Sequence, residues 1–439
     1  MGEMRVPAEA LYGAQTARAI ENFPIGGPRF PRSFIRALGL IKSAAAKVNG
    51  RMGHLPADRA AAIEAAAEQV IDGRHDAEFP LDIFQTGSGT STNMNANEVI
   101  GRLAGAHPND DVNRGQSSND VIPTAMHVAA AQITTTRLFP AMRILEASLT
   151  RKAEEFHDII KIGRTHLQDA APIRMGQEFS GYARQVAASR ERIEACLRGI
   201  YELPLGGTAV GTGLNAPSGF AAATIAEIAR RTGLPFVEAP NHFEAQAGRE
   251  AVCFLSSGLR TYAVALTKIA NDIRWLGSGP RCGLGELKLP AVQPGSSIMP
   301  GKVNPVIAES VLMVCAQVVG YDATITWCAA AGNFELNVMM PVMAYDLLDS
   351  IALLAEATGN FAGKMIDGIQ AGRERAEGYV EQSLAMATVL APEIGYERAA
   401  DLVKEAYSTG RTVREVAFEK SGIPAQRLNG LLDPRSQVG

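Results

Sequence analysis

Apolar residues recur along this chain at spacings of three and four almost from end to end, the pattern of helices that bury one face. Over 252–277, Leu255, Leu259, Tyr262, Leu266, Ile269, Ile273 and Leu276 form one unbroken seam. It predicts a helix of about seven turns at 3.6 residues per turn. Met175, Phe179, Tyr182, Val186, Ile193 and Ile200 trace a second seam. Leu138, Met142, Leu145, Leu149 and Phe156 trace a third, with Pro140 expected at a kink or in a first turn. A shorter helix carries Phe34, Leu38, Ile41, Ala45 and Val48, with Ser33 as its expected N-cap and Gly50 as its expected stop. Further helical stretches are expected over Val311–Val318 and 345–366. Seams this long exceed what a small globular domain needs, and predict a bundle of extended antiparallel helices shared between subunits.

Composition narrows this to a mainly all-α protein. Hydrophobic residues make up 46% and charged residues 20%, enough for a core and not a disordered composition. Aromatics are only 6%, and the apolar mass is Ala, Leu, Ile and Val, which favours helices over a β-sandwich. The length of 439 residues implies two or three domains. Shifts in composition place boundaries near 116 and 371: a mixed helical domain over 1–116, a central long-helix domain over 117–371 and a small helical domain over 372–439. A formal net charge of −4 argues against a nucleic-acid partner. The opening MGEMRVPAEA is polar and charged rather than secretory, and the longest charge-free run, Leu203 to Ala226, holds five Gly and two Pro and does not read as a membrane span. Five cysteines without a C-x-x-C and seven scattered histidines predict reduced thiols in a cytoplasmic protein with no metal centre.

Five polar, glycine-bearing segments interrupt the helices: QTGSGTSTNMNANE (85–98), HPNDDVNRGQSSND (107–120), GRTHLQD (163–169), GGTAVGTGLN (206–215) and GSSIMPGKVNP (295–305). In the last, Gly295 and Gly301 permit close backbone approach, and exposed amides beside Lys302 and Asn304 can cradle a carboxylate or a carbanion's extra charge. On its own it is equally a plain loop. His166 lies among Thr165, Gln168 and Asp169, groups that can fix a tautomer for acid–base work, although a lone histidine is more often a satisfied structural residue. Ser117, Ser118, Asn119 and Asp120 precede an apolar run, so they read either as an ordinary N-cap or as a helix N-terminus that holds an anion. Ser88, Gly89 and Thr90 repeat the hydroxyl-plus-glycine theme. No nucleophile elbow, Walker loop or dinucleotide fingerprint is present. What remains is a cofactor-free site of His, Ser, Thr, Asn and Lys, suited to proton abstraction next to a carboxylate.

GSSIMPGKVNP resembles the signature loop of the fumarase/aspartase superfamily. The likeness extends through TGSGTSTNMNANEVI, HPNDDVNRGQSSNDVIPTAMH, KIGRTHLQDAAPIRMGQEFSGY, GGTAVGTGLN, SGPRCGLGEL and GNFELNV, in the order and spacing of class II fumarases. The resemblance implies a homotetramer with a central twenty-helix bundle and active sites shared between subunits. It also implies reversible anti elimination on a dicarboxylate skeleton through an aci-carboxylate, here between (S)-malate and fumarate. Carried over motif by motif, Ser296 is the base, Lys302 and Asn304 hold the dianion, and His166, polarised by Glu309, serves the leaving group's proton path. Thr165, Ser117, Ser118 and Asn119 bind carboxylates, assisted by Ser88, Gly89, Thr90 and Ser297. His107, Asn109 and Asp110 match a secondary dicarboxylate site, though only six residues separate Ile100 from His107, fewer than is usual in the family. The second reading is an aspartate ammonia-lyase, which uses the same skeleton and base. The third is a non-catalytic structural homologue, disfavoured because the chemical residues are all present.

Overall fold

The computed structural model describes residues 2–438. In chain order its helices are α1 (Ala14–Asn22), α2 (Arg32–Arg51), α3 (Ala57–Ile71), α4 (Thr90–Ala104), α5 (Ser118–Ile133), α6 (Phe139–Glu155), α7 (Met175–Ile200), α8 (Phe220–Thr232), α9 (His242–Ala247), α10 (Glu250–Leu276), α11 (Val306–Ala329) and α12 (Met340–Lys364). The C-terminal part adds α13 (Arg373–Gln382), α14 (Ala391–Ile394), α15 (Tyr396–Thr409), α16 (Val413–Lys420) and α17 (Ala425–Leu431). Three two-stranded pairs complete the described fold. β1 (Ile160–Thr165) and β2 (Gln168–Arg174) are antiparallel, β3 (Glu202–Leu203) and β4 (Val237–Glu238) parallel, and β5 (Leu287–Lys288) and β6 (Gln370–Ala371) antiparallel.

The predicted seams are the buried faces of real helices. All seven apolar seam positions of α10 are at most 4% exposed, and the six of α7 at most 1%. At 1.5 Å per residue these helices run to roughly 40 Å. The third seam lies on α6 and the residues flanking it. Pro140 is the second residue of α6 but not a free helix start: a π-helical turn over Thr134–Leu138 runs on from α5 without a break, so Pro140 sits just after a local widening of one continuous helical run.

Two helix-end expectations are corrected. The N-cap of α2 is Pro31, whose carbonyl accepts the first amides, from Phe34 and Ile35; Ser33 already lies inside the first turn. Gly50 is likewise internal, and the chain leaves the helix at Gly53, which takes the left-handed φ of +73° that a terminating residue needs. The parallel β3–β4 pair flanks α8, and GGTAVGTGLN lies between β3, only two residues long, and α8, which begins at Phe220.

The chain divides into two compact units. One comprises the segment up to Pro140, Ser189–Val264 and Val314–Glu356. In it α2 packs on α3, α5 and α8, with Ala45 and Val48 closed over Phe220. The other comprises Ala141–Ala188, Ala265–Met313 and the segment from Ala357 onward. In it Ile160 of β1 joins a core of Val380, Leu390, Leu402, Val416 and Leu428 supplied by the C-terminal helices.

One helix leaves much of its apolar surface uncovered. Over α11 the most apolar window has a mean hydropathy of 1.5 and only 28% of it is buried. By length and composition α11 suffices to cross a membrane, although it is not free of charge: Glu309 and Asp322 lie within it. Asp322 is buried and accepts hydrogen bonds from Ser256 Oγ at 2.7 Å and Arg260 Nη1 at 2.8 Å.

Candidate active site

In the first unit, two helix starts meet. Gly89 enters α4 at φ +72°, and a Cβ there would stand 2.8 Å from Ile122 of α5, so only glycine allows the approach. The consequence is a chain of hydroxyls. Ser88 Oγ lies 2.7 Å from Thr90 Oγ1, which lies 2.7 Å from Ser118 Oγ at the first position of α5. Ser117 caps α5: its Oγ accepts from the Asn119 amide at 3.2 Å, and its own amide donates to Asp120 Oδ1 at 2.9 Å. Asn119 Nδ2 reaches across to the Ala209 carbonyl at 2.8 Å. The cluster therefore gathers hydroxyls and amides around the positive end of a helix, the disposition that attracts a carboxylate.

Asp120, in the sequence only the last member of an N-cap run, organises this corner. Its Oδ2 accepts from the Gly206 and Thr208 amides at 2.9 and 3.0 Å, so one buried carboxylate joins the start of α5 to GGTAVGTGLN. Burial pushes its carboxyl up despite these three N–H donors. Lys42, also fully buried, donates to Asn113 Oδ1 and Gln116 Oε1, both at 2.9 Å, and burial lowers its ammonium to about 7. The only advance signal was an Asp three residues after a capping serine.

In the second unit, GSSIMPGKVNP forms a cinched loop. The Gly295 amide donates to the Lys302 carbonyl at 2.7 Å, and Asn304 Nδ2 donates to the Gly295 carbonyl at 2.7 Å. A Cβ on Gly295 would fall 2.7 Å from the Lys302 carbonyl oxygen. Inside the loop, Ser296 Oγ accepts from the Ile298 and Met299 amides at 3.2 and 3.0 Å. Ser297, Lys302 and Ile298 are exposed, and Ile298 is 84% so. The loop bounds a cavity of about 540 Å³ lined by Val292, Pro294, Ser296, Met299, Lys302 and Val303, among others.

The β1–β2 hairpin presents Thr165 and His166. His166 and Leu167 form its turn at φ +57° and +61°, with Thr165 paired to Gln168. Thr165, His166 and Leu167 are all exposed. Glu309 lies in the first turn of α11, and among the described residues it makes no hydrogen bond or ion pair with His166. A single chain thus supplies the two groups without joining them.

His107, Asn109 and Asp110 lie together at a π-helical turn over Pro108–Val112. His107 Nδ1 accepts from the Asp110 amide at 3.0 Å and stands 3.2 Å from the Asp110 carboxylate. Both side chains are more than half exposed.

Comparison with known proteins gives consistent matches. Residues 2–320 match the family described as Lyase, and residues 386–438 match that described as Fumarase C C-terminus. The "Fumarate hydratase class II" of Ralstonia nicotianae is 52% identical over all of this chain and 98% of its own length. That of Mycobacterium tuberculosis is 52% identical over 98% of this chain and 92% of its own. The crystal structure of class II fumarase from Schistosoma mansoni superposes with a TM-score of 0.96 at 41% identity, covering 99% of this chain and 96% of that one.

Proposed function

This chain belongs to the fumarase/aspartase superfamily, among its class II fumarate hydratases, and we propose that as such it adds water reversibly to fumarate to give (S)-malate. The observation that carries the chemistry is the pair of amides aimed at Ser296 Oγ. A free serine hydroxyl is a weak base; two fixed N–H donors that favour its alkoxide make it a competent one.

In the elimination direction Ser296 takes the proton from C3 of malate. The electron pair moves into the adjacent carboxylate, giving an aci-carboxylate with two negative charges. Lys302 and Asn304 neutralise and bind that dianion. The C2–O bond then breaks on the opposite face, and the departing hydroxide leaves as water with a proton delivered along a path through His166. Thr165, Ser117, Ser118 and Asn119 hold the carboxylates, with Ser88, Gly89, Thr90 and Ser297 adding donors, so that proton removal occurs on a fixed skeleton. His107, Asn109 and Asp110 form a secondary dicarboxylate site in this reading.

The assembly proposed is a homotetramer whose sites draw residues from several chains. Two features support it. His166 stands exposed on its hairpin turn. Large apolar groups stand exposed on the long helices, with Trp327 at 77%, Met313 at 68% and Trp275 at 55%.

The test is fumarate consumption by purified protein in buffer free of ammonium, followed by the loss of its ultraviolet absorbance with malate identified as product. Turnover that appears only when ammonium is added would replace the hydratase by an aspartate ammonia-lyase. Absence of turnover and of dicarboxylate binding would leave a non-catalytic homologue.

A further inference from the structure

Beneath the Thr165–His166 turn lies a buried ionic knot to which the reaction above assigns no part. Arg164 donates from Nη1 and Nη2 to the two oxygens of Glu286, at 3.0 and 2.9 Å. Glu286 is fully buried, and Arg164's side chain is 15% exposed. Lys161 Nζ, almost fully buried, stands 3.4 Å from Glu286 Oε2 and 3.4 Å from Glu178 Oε2, and donates to the Ile162 carbonyl at 3.0 Å. The Arg164 guanidinium also faces the Tyr379 ring of α13, 5.9 Å from its centroid.

The places of these residues in the chain give the knot its meaning. Arg164 immediately precedes Thr165, at the point where the β1–β2 register shifts between Ile162 and Arg164. Such irregularities re-aim a side chain at the end of a ladder. Glu286 immediately precedes β5, which leads straight into the loop that carries Ser296. Its carbonyl accepts from the Gly372 amide at 2.8 Å, so its backbone is fixed to the β6 end as well. The ladder pairs Arg164 with Asp169 and Thr165 with Gln168, and beyond that pairing the turn stands open, with Thr165, His166 and Leu167 all exposed.

Resting on the reaction assigned above, we infer that Arg164 and Glu286 are positioning residues, a joint that sets the Thr165–His166 turn relative to the root of the Ser296 loop. Stability alone does not call for this arrangement, because a buried ion pair is often no better than an apolar pair of the same volume. A two-pronged guanidinium–carboxylate contact fixes distance and angle together, which a point charge does not.

The test is Arg164→Lys in the full-length protein, which keeps the charge and removes the fork. Native mass and Tm should stay close to those of the unmodified chain. kcat for fumarate hydration should fall by about tenfold to a hundredfold, the scale of a misplacement near 1 Å, while KM and inhibition by succinate change less than about threefold. Glu286→Asp, which withdraws the carboxylate by one methylene, should give the same signature and serves if the first variant fails to fold. An unchanged kcat in a folded Arg164→Lys protein overturns the inference. So does a loss of kcat matched by losses of Tm and succinate binding, or failure of both variants to fold, since either outcome makes the knot merely structural. Inactivity of the unmodified chain removes the reaction assignment and this inference with it. Activity in the unmodified chain with indifferent variants counts against the joint alone.

Discussion

A hydroxyl becomes a base only where something stabilises its anion, and Ser296 is placed between two amides that can do so. Ser296→Ala should lower kcat by about a hundredfold to ten-thousandfold, the range of a lost acid–base group, with succinate binding retained in a competition assay. Lys42 makes a prediction of a different kind. Burial lowers its ammonium from 10.5 to about 7 in the folded chain. Between those values the unfolded chain holds a proton that the folded chain has released, so unfolding takes up a proton and stability rises with pH across that window. Asp120, pushed up by the same burial, acts at the acid end: the folded chain keeps its proton longer, and its contribution falls as pH rises through the unfolded carboxylate's value. Lys42→Met should therefore flatten the gain in Tm between about pH 7 and pH 9, measured against the unmodified protein.

Among the elements, the loop that holds Ser296 is shaped by Gly295, where the Lys302 carbonyl leaves no room for a Cβ. Gly295→Ala should open the cinch, cutting kcat about tenfold or more, as a displaced donor does. The loop is exposed and carries little of the core, so Tm should hold; calorimetry on the same sample checks it. The long helices were legible because apolar character repeats with the helical period, and α7 and α10 bury the very positions that pattern named. The β1–β2 hairpin was not. β1 buries Ile160, Lys161, Ile162 and Gly163 in succession, including a cation, so the alternation that marks a half-buried strand never forms. Helix ends failed for a related reason: Ser33 has the chemistry of a cap, but the cap belongs to whichever residue leaves its carbonyl open to the first turn, here Pro31. The residues proposed for the chemistry stood out as polar islands in the sequence. What joined them did not, since Asp120, Arg164 and Glu286 act through distances that only the fold sets.

For the whole molecule, the exposed faces of α10 and α11 set the expectation. Phe254 is 57% exposed, Val264 60% and Trp327 77%, large apolar side chains of the kind that a partner surface covers when they group into a patch. If the proposed tetramer is right, Trp327→Glu should lower the native mass towards smaller species and remove most activity with it, read by size-exclusion with light scattering alongside the fumarate assay. Loss of mass with full activity would show that one chain is enough.

The bare flank of α11 also bears on how the protein comes into being. In the proposed assembly, a chain just released from synthesis would display a stretch oily enough to be mistaken for a lipid-bound segment until sister copies meet it. Recovery from denaturant should then be a race of encounter against clumping. Dilution would slow the return of function and crowding by unfolded neighbours would reduce its yield, so that speed and yield peak at an intermediate protein concentration.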